Sequence, residues 1–201
     1  MRIGIIGKGN VGRAMATGLS RVGNEIKYGH RDPKEPVGEA AKWSEVTFLA
    51  VPYESVTEVA AVIGSLADGK TVVDVTNAVG ENCCLTIGFS TSASEQLQKK
   101  LPKARIVKAF NTVFVQNQST GTLGGEQLTL FVASDDANAK RTAMALGEQI
   151  GFEPVDAGLL RNACYLEPMG MFMINLGYVL GMGPKIGFKL IKGYIAIVGK
   201  I

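Results

Sequence analysis

The sequence has few of the side chains that carry acid–base, nucleophilic or metal chemistry. It contains one histidine and three cysteines in 201 residues. Zinc and haem sites are usually built from several such ligands, so we expect no metal. Cys83 and Cys84 are adjacent, and adjacent cysteines rarely reach disulfide geometry, so we interpret them as half-buried side chains. Without a disulfide framework, the expected setting is reduced and cytoplasmic.

The sequence also lacks a charge excess and a long apolar segment. Lys and Arg number 21 against 18 Asp and Glu, which is not the charge of a nucleic-acid-binding surface. The uncharged run 168–184 is shorter than the roughly 20 residues of a membrane-spanning helix. We predict one domain over 1–201, no nucleic-acid partner and no stable membrane insertion.

A glycine-rich motif lies at residues 7–12. The apolar strand predicted over 2–6 leads into GKGNVG, and a helix is predicted over 11–22. In a G-x-G-x-x-G motif the first glycine permits the tight turn, the second lets a pyrophosphate approach, and the third lets the helix pack on the strand. The helix N-terminus offers free N–H groups to the phosphates. The motif predicts dinucleotide binding; the alternative is a glycine-rich turn that binds nothing.

The end of the second predicted strand (25–28) indicates which dinucleotide the chain binds. An NAD-specific fold places an acid there to bind the ribose hydroxyls. This chain has His30, Arg31 and Lys34 instead, and Asp32 lies two residues beyond the expected position. A guanidinium can form two hydrogen bonds with a 2′-phosphate and stack on adenine, so we predict NADP(H). The position of His30 beside the adenine argues against a role in chemistry.

Strand and helix signals alternate along the chain. Continuous Val/Ile/Leu runs predict parallel strands buried on both faces, and the alternation predicts a doubly wound (Rossmann) α/β fold with a C-terminal helical extension over 159–201. Residues 77–91 form a long loop, and 121–125 are predicted as a surface loop. The other predicted strands are 46–51, 71–75, 105–110, 128–133 and 153–156, and the other helices are 54–65, 92–101 and 136–150.

The segments that follow the central strands should meet at one edge of the sheet. They are residues 8–11, 51–53, 76–78 and 111–113, and they contain no acid–base pair and no activated nucleophile. A hydride transfer needs none, because it depends on two rings held face to face with water excluded. The pattern therefore predicts hydride transfer from the cofactor to a small-molecule acceptor. It fits equally a redox-sensing NADP(H)-binding protein without turnover.

The tail from residue 165 is rich in methionine and has no acid after Glu167. We predict a helix that forms a homodimer through 168–180 and its surroundings. A helix that closes the cofactor crevice and an amphipathic surface anchor are the alternatives.

Several motifs together resemble the F420-dependent NADP oxidoreductase family, over nearly the whole chain. They are GKGNVG (7–12), GHR (29–31), LAVPY (49–53), VKAFNTV (107–113), DAG (156–158) with Asn162, and GMG (181–183). The resemblance implies hydride transfer between NADPH and the deazaflavin coenzyme F420. The segment 107–113 also resembles the cytosolic NADPH domain of six-transmembrane ferric reductases, which implies a flavin as the alternative acceptor.

The resemblance also implies roles for individual residues. Gly7, Gly9, Asn10 and Val11 would hold the pyrophosphate, His30 and Arg31 the 2′-phosphate, and Pro52, Asn77 and Ala109 would line the nicotinamide. Asn111, Thr112 and Val113 would abut the reacting rings and position them. The chain has Asn111 and Val113 where archaeal members have His and Ile. The predicted cofactor-binding residues are Gly7, Lys8, Gly9, Asn10, Val11, His30, Arg31, Lys34, Val51, Pro52, Asn77, Ala109 and Asn111.

Overall fold

The centre of the molecule is a five-stranded parallel sheet in the order β2-β1-β3-β4-β5. The structure is a computed structural model that describes residues 1–80 and 84–193. All four residues of β3 and of β4 are buried, as expected of strands covered on both faces. The doubly wound α/β prediction is confirmed. The strands are β1 (Arg2–Ile6), β2 (Glu25–Gly29), β3 (Val46–Leu49), β4 (Thr71–Asp74) and β5 (Arg105–Lys108).

The C-terminal strands depart from the predicted all-parallel sheet. The short strands β6 (Thr122–Leu123) and β7 (Glu126–Gln127) form an antiparallel hairpin, so 121–125 is not a plain surface loop. Strands β8 (Thr129–Val132) and β9 (Glu153–Asp156) are parallel to each other. However, β8 joins β5 through an antiparallel bridge between Lys108 and Ala133. No long crossover helix separates β5 from β8, and a parallel pairing needs one.

Seven α-helices cover the described part of the sheet. Four were predicted by their bounds and α7 as part of the C-terminal extension, whereas α2 and α5, which are short and have no side-chain N-cap, were not. By contrast, Ser92 caps α4 and Asp136 caps α6 by accepting a backbone N–H. The helices are α1 (Asn10–Arg21), α2 (Val37–Trp43), α3 (Val56–Ile63), α4 (Ala93–Lys100), α5 (Val115–Gln118), α6 (Ala137–Ile150) and α7 (Ala163–Ile174).

The sheet separates two apolar cores. Ile5 and Val73 pack with α1 and α6 on one face, whereas Ile6 and Val72 pack with α2, α3 and α4 on the other. Adjacent residues of one strand thus face opposite cores, as the pleat requires. The two cores hold the ends of the strands, and the loops that follow them, in fixed positions.

The tail is helical over only part of its predicted length. A π-helical turn (Asn175–Val179) follows α7, but residues 180–193 form no helix. Gly181 and Gly183 adopt positive φ angles there, which a helix cannot contain. Residues 194–201 of the predicted extension lie outside the described residues. Within 1–80 and 84–193 no helix is long and apolar enough to cross a membrane.

Candidate functional site

A groove of about 780 Å³ runs along the carboxyl ends of β1 and β3, between the glycine loop and the turn after β2. This is where ligands bind in open α/β sheets. Glu54 and Glu58, near the start of α3, also line it, and the sequence analysis did not select them. Seven of the predicted cofactor-binding residues line the groove: Gly7, Lys8, Gly9, His30, Arg31, Val51 and Pro52.

The three motif glycines play different steric roles. A Cβ at Gly7 would lie 2.2 Å from the Ala50 carbonyl oxygen, and one at Gly12 would lie 2.0 Å from the Gly7 oxygen. Gly7 also has a φ of 107°, which side chains rarely adopt. A Cβ at Gly9 would meet nothing within 4 Å, so this glycine borders open space in the groove. The first and third glycines are needed for packing, whereas the second leaves room for a ligand.

The N-terminus of α1 completes this end of the groove. Gly9 is its N-cap, no side chain caps the helix, and no acid lies in its first turn. The first N–H groups of such a helix have no intrahelical partner and suit an anion. Free amides beside an open Gly9 fit a pyrophosphate. Asn10 and Val11 belong to this first turn and follow Gly9, but their side chains do not line the groove.

A charged cluster lies where β2 ends. Lys8 Nζ is 2.8 and 2.6 Å from the two carboxylate oxygens of Glu35, and His30 Nε2 is 2.8 Å from one of them. The hydrogen bond from Lys8, followed by its charge and by His30, outweighs desolvation and lowers the pKa of Glu35. Arg31 lines the groove and is exposed. Lys34 lies in the same turn, where its N–H binds the Asp32 carboxylate.

A second cluster of polar side chains lies under α7, at the ends of β4 and β5. The Asn111 side-chain amide donates to Asn77 Oδ1 at 2.9 Å and to the Leu166 carbonyl at 2.7 Å, while the Asn77 amide donates to the Asn111 carbonyl at 2.9 Å. Ala109 and Thr112 are buried, and Val113 is half-buried. The structure brings Asn77 and Asn111 together, but away from the groove wall. That these residues contact or position the nicotinamide stays a prediction.

Below this group lies a fully buried charged cluster that the sequence analysis missed. Lys108 Nζ is 3.1 Å from Asp74 Oδ2, 3.1 Å from Glu167 Oε1 and 2.6 Å from the Thr76 carbonyl oxygen. The three charged side chains are at most 2% exposed. The sequence signal was a lysine inside the apolar strand 105–110, since a charge in such a strand requires a partner.

The hydrogen bonds of the carboxylates hold this cluster in place. Burial alone would raise the pKa of Asp74, but Lys108 and the hydrogen bonds from Ser94 and Thr76 lower it below its ordinary value. Burial would likewise lower the pKa of Lys108, but its two carboxylate partners raise it. Both groups are therefore charged at neutral pH.

Glu167 also ties α7 to the rest of the fold. Its oxygens accept the N–H of Ala93 at 3.0 Å and of Ser94 at 3.3 Å, in the first turn of α4. Gly170 of α7 lies against the Asn77 and Asn111 pair, and only a glycine fits there because a Cβ would lie 2.6 Å from Asn77 Oδ1. One carboxylate, one amide pair and one glycine thus fix α7 over the ends of β4 and β5.

The chain turns sharply as it leaves β5. Phe110 has a φ of 65°, although it is fully buried between Phe48 and Phe152. A non-glycine residue in this region is uncommon and indicates local strain. The Gln118 amide supports the turn by donating to the carbonyls of Phe110 and Val113. This turn places Asn111 under α7.

The two described cysteines, Cys84 and Cys164, do not line the groove. Cys84 is exposed, so its interpretation as half-buried is wrong, and Cys83 lies outside the described residues. The Cys84 carbonyl accepts the Gly80 N–H at 2.8 Å, but the Cys84 side chain lies at the surface. Among the residues that the structure describes, no group of three or more His, Cys, Asp or Glu could hold a metal ion.

Residues 2–78 match the sequence model of a family described as NADP oxidoreductase, coenzyme F420-dependent. The match covers less than half of the chain. The matched segment contains the glycine loop, the β2 turn and the ends of β3 and β4, so it covers the groove described above. The resemblance found in the sequence is confirmed, and the chain is related to NADP-dependent oxidoreductases.

Two metalloreductases are similar over most of the chain. STEAP3 of Rattus norvegicus is 29% identical over 185 residues, which cover 86% of this chain and 37% of that protein. STEAP2 of Homo sapiens is 26% identical over 192 residues, which cover 89% of this chain and 38% of that protein. The chain therefore spans well under half the length of these relatives.

Solved structures extend the likeness to the whole fold. A candidate F420-dependent NADP reductase from Arthrobacter sp. FB24 is 26% identical, with a TM-score of 0.89 over 96% of this chain and 100% of that one. Pyrroline carboxylate reductase of Plasmodium falciparum, solved with NADP bound, is 13% identical with a TM-score of 0.56, over 78% of this chain and 58% of that one. At that identity the likeness shows the fold alone. The family and its neighbours support NADP(H) as the cofactor.

Proposed function

We propose that the protein is an NADPH-dependent oxidoreductase that passes hydride to a deazaflavin, coenzyme F420, or to a flavin-like acceptor. The observation that carries the proposal is the open space at Gly9, between the uncapped N-terminus of α1 and the exposed Arg31. A pyrophosphate suits the first feature and a 2′-phosphate suits the second. The match of residues 2–78 to an NADP oxidoreductase family supports the same assignment.

The roles follow from the position of each residue along the groove. The N–H groups at the start of α1 would bind the pyrophosphate, and Arg31 with His30 would bind the 2′-phosphate. Val51 and Pro52, which follow β3, would form the wall beside the nicotinamide. NADPH supplies the hydride, so the chain has to hold two rings in contact and exclude water.

The acceptor is tested by NADPH oxidation with a panel of F420, FMN, FAD and a ferric chelate. We expect turnover with F420 or a flavin. NADPH deuterated at the transferred position should show a primary isotope effect in a single turnover, because the hydride then moves directly between the rings. A protein that binds NADPH but oxidises it with none of the four would instead be the redox sensor considered from the sequence.

A matched pair of glycine variants tests the cofactor site. Gly9→Ala places a methyl group in the space assigned to the pyrophosphate, and we expect it to weaken NADPH binding by roughly tenfold. Gly38→Ala is the control, since its Cβ would lie 3.7 Å from Leu66, an ordinary contact. Equal NADPH affinities in the two variants would contradict the assignment.

The expected homodimer is also a proposal. The outer face of α7 and the turn after it carry large exposed apolar side chains, among them Tyr165, Phe172, Tyr178 and Leu180. A contiguous apolar surface of this kind commonly marks a contact between copies. Light scattering should give a dimer mass, and Phe172→Glu should lower it. A monomer mass across micromolar concentrations would reject the dimer. The cytoplasmic setting stays a prediction.

A further inference from the structure

Glu35 contacts two basic side chains that line the groove, Lys8 and His30. Both of its carboxylate oxygens are within 2.8 Å of Lys8 Nζ, and one is 2.8 Å from His30 Nε2. The three side chains are about one-third exposed, at 33%, 33% and 29% respectively. Water and a ligand can therefore reach the cluster, unlike the buried charges under α7.

The turn that carries Glu35 keeps its carboxylate near Lys8 and His30. The His30 N–H donates to the Glu35 carbonyl at 2.8 Å, and the Glu35 N–H donates to the Asp32 carbonyl at 2.9 Å. Lys8 is held in turn by the ring of Tyr28, whose centroid lies 5.1 Å from Nζ. These bonds fix the backbone of Glu35, so an anion that arrives at Lys8 and His30 meets a carboxylate that stays within reach of both.

A 2′-phosphate bound by His30 and Arg31 would meet this fixed carboxylate. Such a phosphate carries about 1.5 to 2 negative charges at neutral pH. It would need the donors that Glu35 already occupies, and it would be repelled by the Glu35 charge. A ribose 2′-hydroxyl is neutral and can donate to a carboxylate, so it would meet neither cost.

We propose that Glu35 sets how strongly the groove prefers nucleotides that carry a 2′-phosphate. It competes with the phosphate for Lys8 and His30 and so lowers the affinity for NADP(H) without lowering that for NAD(H). Arg31 then raises the preference for nucleotides with a 2′-phosphate, and Glu35 lowers it. This inference rests on the proposed function, because it assigns a 2′-phosphate to this end of the groove.

Calorimetric titration of the full chain with 2′,5′-ADP and with ADP tests the inference. These probes share the adenosine 5′-diphosphate and differ in the 2′-phosphate. In Glu35→Gln we expect 2′,5′-ADP to bind about fivefold more tightly and ADP to change by less than about twofold. Glu35→Lys should increase the gain. Both gains should shrink with added salt, because the Debye length falls from about 10 Å at 0.1 M to about 3 Å at 1 M.

Glu39→Gln is the matched control. It makes the same change of charge on α2, but Glu39 lies 4.0 Å from Lys27 and its side chain is 61% exposed. It should leave the ratio of the two affinities unchanged. If Glu35→Gln leaves this ratio unchanged or weakens 2′,5′-ADP binding, Glu35 orients the cations rather than competing, and the inference is wrong. If wild type and variants bind neither probe, the proposed function fails as well.

Discussion

The two charged clusters of this fold differ in what surrounds them. Lys8, His30 and Glu35 are each about one-third exposed, and Lys8 and His30 line a groove. Lys108, Asp74 and Glu167 are fully buried, and hydrogen bonds from the backbone and from Ser94 and Thr76 satisfy the carboxylates. The first cluster can exchange its partners for a ligand, whereas the second cannot.

This difference separates selectivity from architecture. Exposed ion pairs are screened and contribute little to stability, so the groove cluster can vary its charges at low cost. A buried charge that loses its partner lowers the stability of the fold far more, so the cluster under α7 holds β4, β5, α4 and α7 together. We expect substitutions in the groove to change ligand preference and those under α7 to change stability.

The largest effect should come from Lys108→Met. It leaves the carboxylates of Asp74 and Glu167 buried together without a cation, which should lower the free energy of unfolding by about 3 to 5 kcal/mol. Because folding lowers the pKa of Asp74 below its ordinary value of 3.8, the Asp74 carboxylate stabilises the fold at pH values above 3.8. Because folding raises the pKa of Lys108 above its ordinary value of 10.5, the Lys108 ammonium stabilises the fold at pH values below 10.5. Denaturant unfolding at pH 7 falls within that window.

Lys189→Met is the control for this measurement. Lys189 pairs with Glu126 at 2.9 Å on the surface, and its side chain is 38% exposed. The same substitution there should change the free energy of unfolding by less than about 1 kcal/mol. Similar losses in the two variants would remove the contrast between buried and exposed charges.

Asn111→Ala should have the next largest effect. It leaves the Leu166 carbonyl and Asn77 Oδ1 without their donor, which should loosen α7 over the ends of β4 and β5. We expect turnover with the acceptor to fall by about one to two orders of magnitude while NADPH still binds. Thr112→Ala should fall in the same range, and Val113→Ala should chiefly change the packing beside the rings. Complete loss of the hydride step with normal NADPH binding would give Asn111 an essential chemical role.

Arg31→Ala tests the groove side of the comparison. We expect the wild type to bind NADPH at least about tenfold more tightly than NADH, because a guanidinium forms charge-assisted hydrogen bonds with the 2′-phosphate. The variant should lose most of that difference and unfold at the wild-type denaturant concentration, since Arg31 is exposed. Fluorescence titration with both nucleotides measures the difference. Equal dissociation constants in the wild type would contradict the NADP(H) preference.

The sequence predicted the groove better than it predicted the buried cluster under α7. Gly7, Gly9 and Gly12 form a local pattern in which spacing alone sets the geometry, and the mostly apolar strands β1, β3 and β4 sufficed to predict the parallel sheet. Glu35 was missed because it acts from a turn whose closure is not visible in a linear pattern. The sequence also did not reveal that α7 returns over Asn111, whose place beside the rings stays a prediction.

The cluster under α7 depends on long-range contacts. Asp74, Lys108 and Glu167 are separated by 34 and 59 positions, and no local rule pairs them. The direction of β8 depends in the same way on a connection too short for a parallel crossover. Residues that act through local geometry were therefore predictable, and residues that act through folded partners were not.

Glu167→Gln should destabilise the fold less than Lys108→Met, although Glu167 is also fully buried. The buried cluster holds one positive and two negative side chains, so removing the charge of Glu167 leaves Lys108 balanced by Asp74. The remaining amide oxygen can still accept an N–H from the first turn of α4. We expect a loss of about 1 to 2 kcal/mol in denaturant unfolding, smaller than that of Lys108→Met, with Glu126→Gln as the exposed control. Equal losses in Glu167→Gln and Lys108→Met would show that the balance of charge does not govern this cluster, and that each of its hydrogen bonds is needed to hold α7 in place.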